Sequence, residues 1–304
     1  MLLLRPNYFG CNFSLEKRNP GGKLRVKRKS VYILPILLLI IAFVSYYFLS
    51  IDKKQYEKIS NITYGESGQK LDLYTPKGTN IPVILYVHGG GWSRGNKENV
   101  SAKPAFFTEN GYAFISINYR LHPKASYEEM AQDVVTALRW VYENADTYNL
   151  DQGRINLMGH SAGGHLIMLV GTNPKYLQAK NLSTDIIHSL VDLDGPVDLE
   201  YFIQRIPSYK KVFGENKNEW AVASPITYAM RQQLPPSLLI ARDQNTSTLR
   251  FVDIVKRNRS EVSFYGYKNI SHSDVTKQLG VSSAETEARE ITNAVLTFLN
   301  THNK

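Results

Sequence analysis

A chain of 304 residues, 43% hydrophobic and 21% charged, carries enough apolar side chains for one full core and is read as one globular domain. Its formal charge of +9 does not signal a nucleic-acid partner. Residues 1–30 hold eight Lys/Arg against Glu16 alone, a net +7 that leaves only +2 for the rest and no basic face for phosphates. Cys11 is the single cysteine, which excludes an intramolecular disulfide and any cysteine-based metal site.

The basic block at 1–30 is read as a cytoplasmic tail. Directly after it, residues 31–51 contain no charge and include the run Leu34-Pro35-Ile36-Leu37-Leu38-Leu39-Ile40-Ile41. At about 1.5 Å per residue this length spans roughly 30 Å, the thickness of a bilayer's hydrocarbon core, and predicts a transmembrane anchor. Pro35 falls in the first turns, where a missing N–H costs little, and Tyr46 and Tyr47 suit the far interface. Only Lys53, Lys54 and Lys58 follow closely, so the charge bias keeps the N-terminus in the cytoplasm and exports what comes after. The competing reading is a cleaved signal peptide. Against it stand the length of the apolar run, the extended basic leader and the lack of a clear small-x-small cleavage site.

Residues 52–61 are charged and polar and read as a linker. From 62 to 304 strand-like and helix-like segments alternate, the pattern of an α/β protein whose mostly parallel sheet is covered on both faces. Leu71–Tyr74 reads as an edge strand ending at the turn Pro76-Lys77-Gly78. Pro82–Val87 and Ala113–Tyr119 are continuous apolar runs, as expected of strands buried on both faces. Tyr127–Ala145 places Met130, Val134, Leu138 and Val141 on one helical stripe. Ile155–Met158 is a short strand; later strands are predicted at Ser189–Leu193, Ser237–Ala241 and Glu261–Tyr267, with a closing helix over Ala284–Leu299. Residues 199–236 read as irregular.

Two motifs carry chemistry. Gly159-His160-Ser161-Ala162-Gly163 follows the Ile155–Met158 strand and precedes the apolar segment His165–Val170, the context of a G-x-S-x-G nucleophile elbow. A serine at a tight strand-to-helix turn needs small neighbours, and the turn lifts its hydroxyl clear of the sheet. His88-Gly89-Gly90-Gly91-Trp92 follows the strand ending at Val87. Three consecutive glycines let backbone N–H groups approach a substrate and converge on a developing oxyanion. Ser161 is therefore the candidate nucleophile. The elbow resembles that of the α/β-hydrolases, and this resemblance implies a triad in the chain order Ser, acid, His, with the base near the C-terminus at His272 and not at His160, His188 or His302.

From about Ile62 onward the chain resembles the carboxylesterase/lipase branch of the α/β-hydrolases, most closely its kynurenine formamidase-like and hormone-sensitive-lipase-like esterases. The resemblance rests on Tyr64-Gly65 with Leu71–Tyr74, the H-G-G-G-W loop, Asn118-Tyr119-Arg120-Leu121-His122-Pro123, the elbow with Met158, and Ala223-Ser224-Pro225-Ile226. It implies an α/β-hydrolase fold, oxyanion donors at the N–H groups of Gly90, Gly91 and Ala162, and His88 as a brace of the loop. It also places the acid just past the strand ending at Ile240-Ala241. Asp243 is the expected residue there, although a direct register falls on Gln244 or Asn245. Asp194, after the preceding strand, and Asp253 are the alternatives.

The function these residues imply is hydrolysis of an ester or aryl-formamide-like bond through a Ser161 acyl-enzyme, with a small-molecule substrate, the bilayer as a partner and no cofactor or metal. The alternative from another class is a receptor or scaffold that kept the fold and lost its acid. Trp92, Tyr119 and residues 199–236 are candidates for lining the substrate pocket, and packing accounts for each equally well.

Overall fold

A computed structural model of the protein describes residues 38–42, 56–231 and 233–304. The chain divides into two compact units, Met1–Lys53 and Lys54–Lys304. In the first unit, residues 38–42 are helical and Leu38, Leu39, Ile40 and Ile41 are exposed. The 1–30 tail and the rest of the expected 31–51 anchor lie outside the described residues. Among the described residues no helix is long and apolar enough to cross a membrane.

The second unit is built on eight strands: β1 (Tyr56–Thr63), β2 (Lys70–Pro76), β3 (Ile81–Val87), β4 (Ala113–Ile117), β5 (Leu150–His160), β6 (Ser189–Leu193), β7 (Ser237–Arg242) and β8 (Val262–Tyr267). They form one sheet in the order β1-β2-β4-β3-β5-β6-β7-β8. The pairs β1–β2 and β2–β4 are antiparallel and all later pairs are parallel. The sheet begins inside the stretch expected to be a linker: Tyr56–Thr63 pairs with β2, so the edge strand is β1 and not Leu71–Tyr74. Exposed Lys58 explains the polar look of that strand, since one face of an edge strand meets water while Ile59 and Ile62 turn inward.

Strand alternation sorts the core into two layers. Val83, Leu85 and Val87 of β3 and Ile155 and Leu157 of β5 pack on one face, with Ile84, Tyr86 and Met158 on the other. Helices α1 (Lys103–Glu109), α2 (Tyr127–Glu143), α3 (Ala162–Thr172), α4 (Leu199–Arg205), α5 (Lys217–Ala223), α6 (Thr246–Arg257), α7 (Asp274–Lys277) and α8 (Thr286–His302) accompany the sheet. α2 starts at a capping box, in which Ser126 accepts from the Glu129 N–H and the Glu129 carboxylate accepts from the Ser126 N–H. Its predicted stripe, Met130, Val134, Leu138 and Val141, is fully buried. α8 closes the opposite face with Ile291, Val295 and Leu299. The stretch 199–236, expected to be irregular, holds α4, α5 and several single helical turns instead. Short helices with few apolar positions give too little periodicity to read in advance. Because β3 and β5 to β8 run parallel, their C-terminal ends gather at one edge of the sheet, where ligands of such folds bind.

Candidate active site

Ser161 sits between the end of β5 and the first turn of α3 at φ +54°, ψ −118°, a sparsely populated conformation for any residue with a side chain. Close packing enforces it. A Cβ at Gly163 would lie 2.0 Å from the Val87 carbonyl oxygen, so only glycine allows α3 to start this near β3. The turn is pinned from the other side, where the Ser161 N–H donates to the Leu193 carbonyl at 3.0 Å. That bond ties the elbow to the end of β6.

The triple-glycine loop lies directly against the elbow. A Cβ at Gly89 would stand 2.6 Å from His160 Nδ1 and 3.1 Å from Ser161 Cβ. Gly90 and Gly91 take φ +131° and +59°, and the Gly90 carbonyl accepts the N–H groups of Ser93 and Arg94, closing a turn. The N–H groups of Gly90, Gly91 and Ala162 donate no hydrogen bond among the described residues; for Ala162 the reason is general, since the first N–H groups of a helix have no intrahelical acceptor. His88 braces this loop. Its Nδ1 donates to the Gly89 carbonyl at 2.8 Å, its ring stacks on Tyr119 at 4.5 Å, and burial holds its pKa down to about 4, so it stays neutral.

Two residues considered for the pocket are packed away. Trp92 is 1% exposed, its indole N–H donates to His165 Nδ1, and Phe202, Tyr209 and Phe213 meet it edge-on. The Tyr119 hydroxyl donates to the His88 carbonyl. The Asn118–Pro123 motif is also architectural: Arg120 grips the buried Asp133 carboxylate with Nε and Nη2.

The carboxylate that meets His272 is that of Asp194, the alternative, and not that of the expected Asp243. His272, in the loop after β8, points Nδ1 at the Asp194 carboxylate at 2.6 Å. A carboxylate only accepts, so Nδ1 carries the proton and Nε2 is left as the basic nitrogen. Asp194 follows β6 at φ +60°, and its N–H donates to the Ile240 carbonyl at 2.7 Å. Asp243 stands elsewhere. Its N–H continues the β7–β8 ladder by donating to the Tyr267 carbonyl, and its carboxylate faces Lys268 Nζ at 3.5 Å. One more residue of parallel pairing thus commits Asp243 to the strand edge instead of the histidine loop. Asn245 caps α6 by accepting from the Thr248 N–H, and Asp253 pairs with Arg257 along that helix. Gln244 directly precedes that cap.

Sequence reasoning missed three further residues around this pair. The Tyr267 hydroxyl donates to the same Asp194 oxygen at 2.6 Å; burial and that carboxylate raise its pKa, keeping it protonated and donating. His160, inside the elbow, donates from Nε2 to the His272 carbonyl at 3.0 Å. Asp192 is fully buried and accepts from the Gly195 N–H, with a pKa pushed well up by burial and by Asp194. Tyr267 read as one more strand residue and gave no distinct signal, because only the pairing of three parallel strands brings it to Asp194. For His160 the elbow itself was the signal.

The fold and this arrangement define an α/β-hydrolase, and the comparisons agree. The BD-FAE family model matches residues 71–249, more than half of the chain. The chain belongs to that family, among the α/β-hydrolase carboxylesterases. Kynurenine formamidase of Drosophila melanogaster is 22% identical over 246 residues, 77% of this chain and 80% of the relative. Probable carboxylic ester hydrolase LipM of Mycobacterium tuberculosis is 33% identical over 129 residues, 40% of this chain, and the match spans only 30% of that longer protein. Among solved structures, Thermogutta terrifontis esterase 2 phosphonylated by sarin superposes with a TM-score of 0.67 at 17% identity, over 82% of this chain and 96% of the other. At that identity the likeness speaks for the fold.

Proposed function

We propose that this protein is a membrane-anchored serine hydrolase that cleaves a carboxylic ester or aryl-formamide bond through an acyl-enzyme on Ser161. The observation that carries the reading is the 2.6 Å contact of His272 Nδ1 with Asp194, made beside the elbow that presents Ser161. Ser161 Oγ attacks the substrate carbonyl while His272 Nε2 takes its proton. The negative charge that develops on the carbonyl oxygen is met by the N–H groups of Gly90, Gly91 and Ala162, each such donor being worth about 3 kcal/mol of barrier. His272 then returns the proton to the departing alcohol or amine. Water enters by the same route in reverse, releasing the acid and restoring Ser161. Asp194 holds the imidazole in the tautomer with Nδ1–H and stabilises the imidazolium, and Tyr267 holds Asp194.

The rival reading, a scaffold without catalytic power, rests on the acid register after β7, where Gln244 or Asn245 falls at the expected position. Asp194 on His272 favours the enzyme. The formamidase and ester-hydrolase relatives suggest which substrates to offer first. Full-length protein in detergent is expected to react at Ser161 with a fluorophosphonate and to hydrolyse p-nitrophenyl esters or an N-formyl aryl amide. A folded protein that neither labels nor turns over any of them would return the case to the scaffold.

The anchor reading for 31–51 rests on its 21 uncharged residues and the basic block before it, with the N-terminus cytoplasmic and the hydrolase unit exported. Alkaline-washed membranes are expected to retain the full chain, and externally added protease to reach the hydrolase unit. Recovery of the intact chain in the soluble fraction would refute the anchor.

A further inference from the structure

His160 occupies a position the reaction above does not use, and its surroundings are specific. Its ring lies 4.7 Å from the His272 ring, tilted by 35°, while its Nε2 reaches the His272 backbone carbonyl at 3.0 Å. A carbonyl oxygen only accepts, so Nε2 carries the hydrogen. On the other side, the absent side chain of Gly89 leaves room for His160 Nδ1. One imidazole therefore touches the nucleophile turn, the oxyanion loop and the base.

The remaining anchors of the His272 loop hold other residues. The Glu287 carboxylate accepts the N–H groups of Lys268, Asn269 and Ile270, and buried Lys103 donates from Nζ to the Thr276 carbonyl at 2.6 Å. Between them, the His272 side chain is half exposed and its backbone carbonyl is met by His160. His160 itself is 8% exposed, and burial together with the neighbouring His272 brings the His160 pKa down to about 4. A neutral imidazole there presents a donor to the carbonyl without setting a second positive charge against His272 when that residue takes a proton.

We propose that His160 is a positioning residue for His272, fixing the base's backbone through the Nε2–H bond to its carbonyl and its ring through the tilted ring–ring contact. This rests on His272 acting as the base for Ser161. A displacement of about 1 Å in a reacting group costs on the order of 100-fold in rate, which sets the scale of the effect.

Two amide substitutions separate the hydrogen bond from bulk packing. His160→Gln can place an N–H where Nε2 stands, whereas the amide of His160→Asn is too short to reach the carbonyl. With p-nitrophenyl acetate as probe, His160→Asn is expected to lose roughly 10- to 100-fold in kcat with KM within about twofold, and His160→Gln to recover most of it. The rate of fluorophosphonate labelling at Ser161 should fall in parallel, and the low-field proton resonance of the His272–Asp194 bond should persist in the Gln variant and broaden in the Asn variant. His160→Phe, which keeps a ring and removes the donor, should behave like the Asn variant. Equal kcat in wild type, Gln and Asn proteins would overturn the proposal, as would equal losses in Gln and Asn, which would mean packing alone. If the wild-type protein itself fails to label, the catalytic reading falls first and this inference with it; if it labels and only the variants fail to differ, this inference falls alone.

Discussion

The two halves of the site are held by different forces. Ser161 and the glycine loop are fixed sterically: neighbouring backbones approach so closely that a single methyl group at Gly163 would meet a carbonyl oxygen. His272 and Asp194 are fixed by hydrogen bonds between the ends of β6 and β8 and the loop beyond, with His272 half exposed. A sterically held group tolerates almost no substitution around it and fails by failing to form. A group held by hydrogen bonds degrades in steps, one donor at a time. Variants should expose that contrast.

The largest effect is expected in the steric half. Ser161→Ala removes the proposed nucleophile and should bring turnover down by roughly 10⁴-fold or more while the melting temperature stays near wild type. Gly163→Ala is its structural counterpart: the clash with Val87 should cost about 1–3 kcal/mol or more and lower the urea midpoint along with activity. A Gly163→Ala protein with wild-type stability and rate would show that the elbow is not sterically locked.

In the hydrogen-bonded half the losses should be graded. Asp194→Asn replaces the charge opposite the imidazolium and can impose the wrong tautomer, so kcat/KM is expected to fall by up to about 10⁴-fold. Asp243→Asn, which loses only an exposed contact with Lys268, should stay within about twofold. The reverse order would return the acid to β7. Tyr267→Phe removes one of two donors to Asp194 and should cost roughly tenfold.

Stability against pH samples a third group, the buried neutral histidines. His88, His160 and His165 each have pKa values pushed down to about 4, burial being the main cause. In the unfolded chain such a histidine titrates near 6.5. Between about 4 and 6.5 the unfolded state therefore binds more protons, so the stabilisation is complete above that window and is lost as pH falls through it. Each histidine contributes at most roughly 1.4 kcal/mol per pH unit there, and the urea midpoint should drop steeply from pH 6.5 to 5. A flat midpoint over that interval would mean that these imidazoles protonate without unfolding.

What the amino-acid order determined by itself was whatever is written in contiguous residues. The apolar runs gave β3 and β4, the stripe from Met130 to Val141 gave α2, and the Gly-His-Ser-Ala-Gly and His-Gly-Gly-Gly-Trp motifs gave Ser161 and the loop beside it, because steric demands act between near neighbours. The place of His272 after the last strand was legible from chain order. Tertiary structure alone decided the rest. Tyr56–Thr63 became a strand because β2 offers it a partner, and Trp92 went to the core because three aromatic rings from residues 202–213 surround it. The choice between Asp194 and Asp243 turned on where parallel pairing ends. Two aspartates at similar distances past their strands look alike in sequence, and only the register of β6, β7 and β8 brings one to the histidine and leaves the other beside a lysine.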